Sequence, residues 1–98
     1  MDVYGSLVIN GKPAQIGDEV AAFDPDDVLC GIFRVRDEGY YGFLHIYGDD
    51  PLTQEDEGAN PGDVMTFRVY DRSENLEFGV TGSVAWSQFK KERLDMII

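Results

Sequence analysis

The residues best suited to bind a cation are the carboxylates between positions 49 and 63. Six acidic side chains fall in this stretch, and no basic residue stands among them. They are Asp49, Asp50, Glu55, Asp56, Glu57 and Asp63. Ca²⁺ takes about six to eight oxygen ligands, and a bound cation would relieve the repulsion between the carboxylates. The spacing is not that of an EF-hand. We therefore expect either a calcium site or a solvated acidic loop.

Aromatic residues form a second candidate site. A tyrosine ring combines an apolar face with a polar edge, which suits stacking against a sugar. The ligand-binding candidates are Tyr41, Tyr47 and Trp86. Strand alternation turns about half of such side chains inward, and it must separate Tyr40 from Tyr41. For Trp86 the alternative is a place in the core or at its rim.

A catalytic site is not predicted. His45 is the only histidine and Cys30 the only cysteine, so neither a transition-metal site nor an internal disulfide is expected. Cys30 is interpreted as a small buried strand residue. No serine stands in a G-x-S-x-G motif. An enzyme would require a pocket that places His45 beside a carboxylate.

Composition excludes several classes of protein. The 98 residues carry a net charge of −11, whereas nucleic acids and anionic lipids need a basic footprint. A hydrophobic content of 43% is too high for a disordered acidic tail. No apolar run approaches the ~20 residues of a membrane span. We expect one domain over residues 1–98.

Short apolar or alternating runs, separated by Gly, Pro, Asn and Asp, are typical of strands at sandwich or barrel spacing. The predicted strands are Val3 to Ile9, Glu19 to Phe23, Val28 to Arg36, Tyr40 to Tyr47, Asp63 to Tyr70, Leu76 to Gly79, Ser83 to Trp86 and Leu94 to Ile98. Asp24, Asp26 and Asp27 are interpreted as turn residues. The long segment from Gly48 to Gly62 has no strand pattern and is a candidate functional loop.

Several motifs resemble those of a known family. The first half carries GSLVINGKPA from Gly5, GDEV from Gly17 and DEGYYGF from Asp37. These stretches resemble the carboxypeptidase regulatory-like, or transthyretin-like, β-sandwich family. The whole chain is similar to sandwich modules of bacterial and archaeal secreted and surface proteins. The stretches that carry this second likeness are Ile16 to Phe23, Cys30-Gly31, Tyr47 to Ala59, Pro61 to Asp71 and Trp86.

The resemblance implies an all-β, Ig-like (prealbumin-like) antiparallel β-sandwich of about seven strands. It also implies an extracellular or cell-surface location. The N-terminus lacks the pattern of a signal peptide, so we expect a domain of a larger parent protein, with neighbouring domains as partners. The expected function is that of a non-enzymatic accessory, spacer or adhesion module, with Ca²⁺ at the acidic loop as its cofactor. The alternative is a carbohydrate-binding module with a glycan partner.

Overall fold

The computed structural model describes residues 1–48 and 58–98, in which ten strands and no helix are found. The strands are β1 (Asp2–Ile9), β2 (Lys12–Pro13), β3 (Glu19–Phe23), β4 (Leu29–Arg34), β5 (Tyr40–His45), β6 (Val64–Asp71), β7 (Leu76–Gly79), β8 (Val84–Ala85), β9 (Lys91–Arg93) and β10 (Met96–Ile97). They form two packed sheets, which confirms the predicted β-sandwich. The number of strands is ten rather than about seven, because short segments of two or three residues also pair. Over the described ranges, no helix is long and apolar enough to cross a membrane.

The first sheet is built around β1. On one side, β1 pairs antiparallel with β5 and β2; on the other, it pairs in parallel with β9 and then β10. The predicted terminal strand from Leu94 to Ile98 is therefore shorter, and it lies parallel to β1. The interruption between β9 and β10 is held by Asp95, whose Oδ1 accepts the Ser6 N–H at 2.9 Å. Gly5 makes room for it, since a Cβ there would lie 2.5 Å from the Leu94 carbonyl oxygen.

The second sheet has the order β4-β3-β6-β7, with β8 paired to the start of β6, and every pairing in it is antiparallel. In this sheet β3 and β6 alternate between core and solvent as the sequence predicts. Met65, Phe67 and Val69 of β6 are buried, whereas Thr66 is exposed. Cys30 is also buried, as predicted.

The core lies between the sheets, and β1 and β6 contribute to it most regularly. Val3, Leu7 and Ile9 of β1 all face it, because side chains two residues apart lie on the same face of a strand. Asp24 is buried at the edge of the core, and its Oδ1 accepts the N–H groups of Asp26 and Val28 at 2.9 Å. This confirms the turn interpretation of Asp24.

The two sheets meet where the chain leaves β5. The Tyr47 N–H donates to the Cys30 carbonyl at 2.9 Å, so the end of the first sheet is bonded to β4 of the second. Gly31 allows this approach, because a Cβ at that position would lie 2.2 Å from the His45 carbonyl oxygen. Such a contact is too short for any side chain to adopt, so the corner requires glycine.

We expect Gly31→Ala to destabilise the protein by about 1–3 kcal/mol, because the added methyl group forces the two strands apart. Gly79→Ala is the matched control. No heavy atom lies within 4 Å of a Cβ at Gly79, so this change should stabilise the protein by about 0.4–1 kcal/mol through the unfolded state. Urea unfolding of both variants measures the difference, and equal unfolding midpoints would show that the corner is not tightly packed.

Candidate functional site

The acidic stretch is only partly within the described residues. Asp49, Asp50, Glu55, Asp56 and Glu57 lie outside them. Asp63 is described, and its Oδ2 accepts the Asn60 N–H at 2.9 Å, so this carboxylate closes a turn. Within residues 1–48 and 58–98, no group of three or more His, Cys, Asp or Glu side chains is placed to hold a metal. The calcium site stays a prediction.

The described residues that flank positions 49–57 are held side by side. Gly48 and Ala59 form a parallel β-bridge, and the Ala59 N–H donates to the Tyr47 carbonyl at 2.9 Å. The Trp86 ring packs against Gly48, where a Cβ would lie 2.9 Å from the ring. The described residues on either side of positions 49–57 therefore lie together at the end of β5, beside the corner that joins the sheets.

Two of the three aromatic ligand-binding candidates are buried. Tyr41 is 3% exposed and donates its hydroxyl hydrogen to the Leu94 carbonyl, while Trp86 is 6% exposed and donates from Nε1 to the Ile46 carbonyl at 3.1 Å. Burial raises the pKa of the Tyr41 hydroxyl, and the Asp95 charge adds to the increase. Neither ring offers solvent a face on which a sugar could stack. Tyr47 is 60% exposed and remains a candidate.

Other aromatic side chains take the exposed positions on β5 and just after it. Tyr40, Phe43, His45 and Tyr47 are all exposed, and we call this set the aromatic row. Simple alternation would place Tyr40 and Phe43 on opposite faces. A bulge changes this, since the register passes from Val3↔Leu44 to Gly5↔Tyr41 and sets two residues of β5 against Tyr4.

Three members of the aromatic row take part in edge-to-face ring contacts, one of them with Tyr4 of β1. Tyr4 and Phe43 lie 5.1 Å apart at an interplanar angle of 66°, and His45 and Tyr47 lie 4.5 Å apart at 84°. Lys91 places its ammonium group 5.3 Å from the centre of the Phe43 ring. Neither ring pair is the coplanar pair that a flat sugar-stacking platform requires. A ligand would instead contact single exposed rings.

A cleft of about 760 Å³ opens next to the aromatic row. Its described lining residues are Met1, Asp2, His45, Ile46, Gly48, Ala59, Asn60, Pro61, Trp86, Gln88, Phe89, Lys90 and Lys91. Phe89 is 91% exposed and has a φ of 64°, a conformation that is uncommon for an aromatic residue. Its backbone conformation belongs to the turn in which the Lys90 N–H donates to the Ser87 carbonyl at 3.4 Å, and its ring is left in solvent at the rim of the cleft.

His45 and Asp2 form the polar centre of the cleft. His45 Nδ1 lies 2.8 Å from Asp2 Oδ1. Sequence reasoning named His45 but missed its partner, which lies 43 positions away and is brought close only by the pairing of β1 with β5. The arrangement meets the condition stated above for an enzyme, but it is not sufficient. None of the described lining residues is a serine, threonine or cysteine that this histidine could activate.

Comparison with known proteins adds no relative. No family model matches the chain, and no curated protein or solved structure matches it significantly. The family resemblance of the motifs therefore remains a prediction.

The segment between β9 and β10, next to the buried Tyr41, contains a carboxyl group with a lowered pKa, that of Asp95. The Ser6 N–H and, to a lesser extent, Arg93 hold the pKa of Asp95 below its ordinary value. Arg93 Nε lies 3.1 Å from Asp95 Oδ1. Because both neighbours favour the charged form, the carboxylate stabilises the junction of β9 and β10 only while it is ionised.

We expect Asp95→Asn to remove a pH-dependent part of the stability. A carboxyl group whose pKa is lowered by folding stabilises fully above its unfolded value of about 3.9, and this contribution is lost as the pH falls further. Urea midpoints of the native chain should exceed those of the variant at pH 7 and converge with them towards pH 2. Asp37→Asn, at an exposed position, is the control substitution. A difference that stays constant over this range would contradict the interpretation.

Proposed function

We propose that the chain is a non-enzymatic accessory module of an extracellular or cell-surface protein and that it acts in adhesion. The observation that carries this proposal is the aromatic row, in which three large rings and an imidazole are exposed along β5 and the two residues that follow it. Exposed apolar residues that are scattered singly need no explanation, but a contiguous set is typical of an interaction site. Tyrosine and phenylalanine are also enriched in protein interfaces.

The chemistry of the aromatic row suits a partner that is partly apolar and partly polar. Tyr40 and Tyr47 each offer a hydroxyl group beside an apolar ring, and His45 adds its second ring nitrogen, Nε2, since Nδ1 is bonded to Asp2. Lys91 places a cation over Phe43, where the ring quadrupole attracts it. Such a surface can form hydrogen bonds and bury apolar area in the same contact.

The rest of the module supports a role beside other domains. Among residues 1–48 and 58–98, 19 buried hydrophobic residues form the core, so the fold has its own hydrophobic interior. A net charge of −11 favours solubility. The neighbouring domains of a parent protein are the partners that we propose for the other surfaces.

Carbohydrate is the second candidate ligand, and the cleft favours it. His45 lines the cleft and carries the exposed Tyr47 ring against it, and Asn60 and Gln88 add amide groups to the lining. Ligand sites of this kind have volumes of about 300–1,000 Å³ and combine apolar walls with a few polar groups. The value of about 760 Å³ lies within that range.

Adhesion is tested on an array that carries plant, animal and bacterial glycans together with extracellular-matrix proteins. The chain should bind at least one class of probe, and Phe43→Ser should weaken that binding about tenfold, since losing one central aromatic contact costs above ~1 kcal/mol. Ile32→Ser is the matched control. Ile32 is exposed to a similar degree on the second sheet, so its substitution should leave binding unchanged. Equal losses in the two variants, or no binding at all, would refute the proposal.

The proposed calcium site is tested by thermal melting with Ca²⁺ and with EDTA. A cation that binds only the folded state, at 100 times its dissociation constant, stabilises by about 2.7 kcal/mol. For a domain of this size, the midpoint should rise by roughly 10 °C or more. Replacing Asp49 and Asp50 with Asn should abolish the increase, whereas Asp26→Asn, outside the acidic stretch, should preserve it. An unchanged midpoint at millimolar Ca²⁺ would exclude the site.

A further inference from the structure

We infer that the cleft binds a neutral saccharide through His45, which Asp2 holds with Nδ1 protonated and Nε2 open to a ligand hydroxyl. This inference rests on carbohydrate as the ligand of the proposed adhesion module. It assigns His45 as the ligand-contacting residue and Asp2 as a positioning residue.

The hydrogen bond between Asp2 and His45 fixes the tautomer. An ionised carboxylate can only accept hydrogen bonds, so the hydrogen of the 2.8 Å contact must lie on His45 Nδ1. In a neutral imidazole the other nitrogen then carries a lone pair. Among the described residues, none donates a hydrogen bond to Nε2. The ring therefore presents an acceptor to whatever occupies the cleft.

The imidazole is also held in place by its neighbours. The Tyr47 ring meets it edge to face at 4.5 Å. The backbone of His45 is packed against Gly31 of β4, and the next residue, Ile46, donates its N–H to the Met1 carbonyl at 2.7 Å. A ligand that bonds to Nε2 therefore meets a preorganised acceptor, which lowers the entropic cost of binding.

The charges around the cleft favour a neutral ligand. Asp2 places a carboxylate next to the acceptor, which opposes an anion such as a phosphate or a uronate. Three cations are also among the described lining residues of the cleft, and each already has a partner. Lys90 is paired with Glu92 at 3.3 Å, Lys91 lies over the Phe43 ring at 5.3 Å, and the N-terminal amine of Met1 donates to the Ile46 carbonyl at 3.3 Å. The amides of Asn60 and Gln88 can both donate and accept. Together with the exposed ring of Phe89, these groups match the alternating hydroxyl groups and apolar C–H faces of a sugar.

The tautomer is tested by ¹⁵N NMR of the full chain at pH 8, where the only histidine gives an unambiguous signal. We expect Nδ1 to show the chemical shift of a protonated ring nitrogen and Nε2 that of an unprotonated one. Asp2→Asn should shift the population towards the tautomer protonated at Nε2. Asp95→Asn, which changes a carboxylate between β9 and β10 of the same sheet, should leave the tautomer unchanged. Far-ultraviolet circular dichroism checks that each variant is folded. A native chain protonated at Nε2 would overturn the inference.

Ligand binding is tested by titrating methyl glucoside, methyl galactoside, methyl mannoside and a short oligomer of each, with methyl glucuronide as the anionic comparison. A neutral probe should shift the Nε2 signal, and His45→Phe should weaken its binding at least tenfold. Tyr47→Ser should also weaken it, whereas Ile32→Ser, at a similarly exposed position on the second sheet, should not.

The outcomes separate the two levels of the proposal. Saccharide binding that neither shifts Nε2 nor responds to His45→Phe overturns the inference but leaves carbohydrate as the ligand. A preference for the glucuronide overturns the choice of a neutral sugar. If no saccharide binds but matrix proteins bind on the array, the adhesion proposal stands and this inference fails. If nothing binds in either experiment, both fail.

Discussion

The peptide groups of Ile46 and Tyr47 are the constraint on which the rest of the structure depends. Each of their four backbone polar groups is bonded to a different part of the chain. The partners are the Met1 carbonyl, the Trp86 indole, the Cys30 carbonyl and the Ala59 amide. These contacts join the residue before β1, the residue after β8, strand β4 and Ala59, which follows positions 49–57 of the acidic stretch. Because unpaired buried peptide groups are costly, the two residues fix both the corner between the sheets and the base of that stretch.

The site follows from this constraint. When Ile46 faces the core, strand alternation must turn His45 and Tyr47 to the solvent, where they meet edge to face. The same backbone brings Gly48 beside Ala59. Both residues line the cleft, so the cleft lies next to the described residues that flank positions 49–57 of the acidic stretch. A cation held by those carboxylates would therefore act on residues next to the cleft, which links the calcium hypothesis to ligand binding in a single part of the molecule.

Local physics determined which features the sequence could predict. The faces of β1 and β6 were predictable because alternation holds along them, and the turn at Asp24 was predictable because the carboxylate bonds to amides two and four residues ahead. The exposed positions of β5 were not, since a bulge against Tyr4 shifts the alternation by one residue. The contact between Asp2 and His45 depends on tertiary pairing, which no local pattern shows. The parallel strands β9 and β10 likewise depend on a distant bond, from Ser6 to Asp95.

A surface with the proposed adhesive role must not also bind copies of itself, and the distribution of charge bears on this requirement. Identical molecules that each carry −11 repel one another, and the repulsion acts on every approach between two copies. The edge of the first sheet on the far side of β1 from β5 is β9, which reads Lys91-Glu92-Arg93. Charged side chains, and lysine above all, oppose strand addition at an open edge. Lys91 further covers part of the Phe43 ring. A neutral ligand would meet none of this repulsion, so the acidity opposes self-association without opposing the proposed ligand.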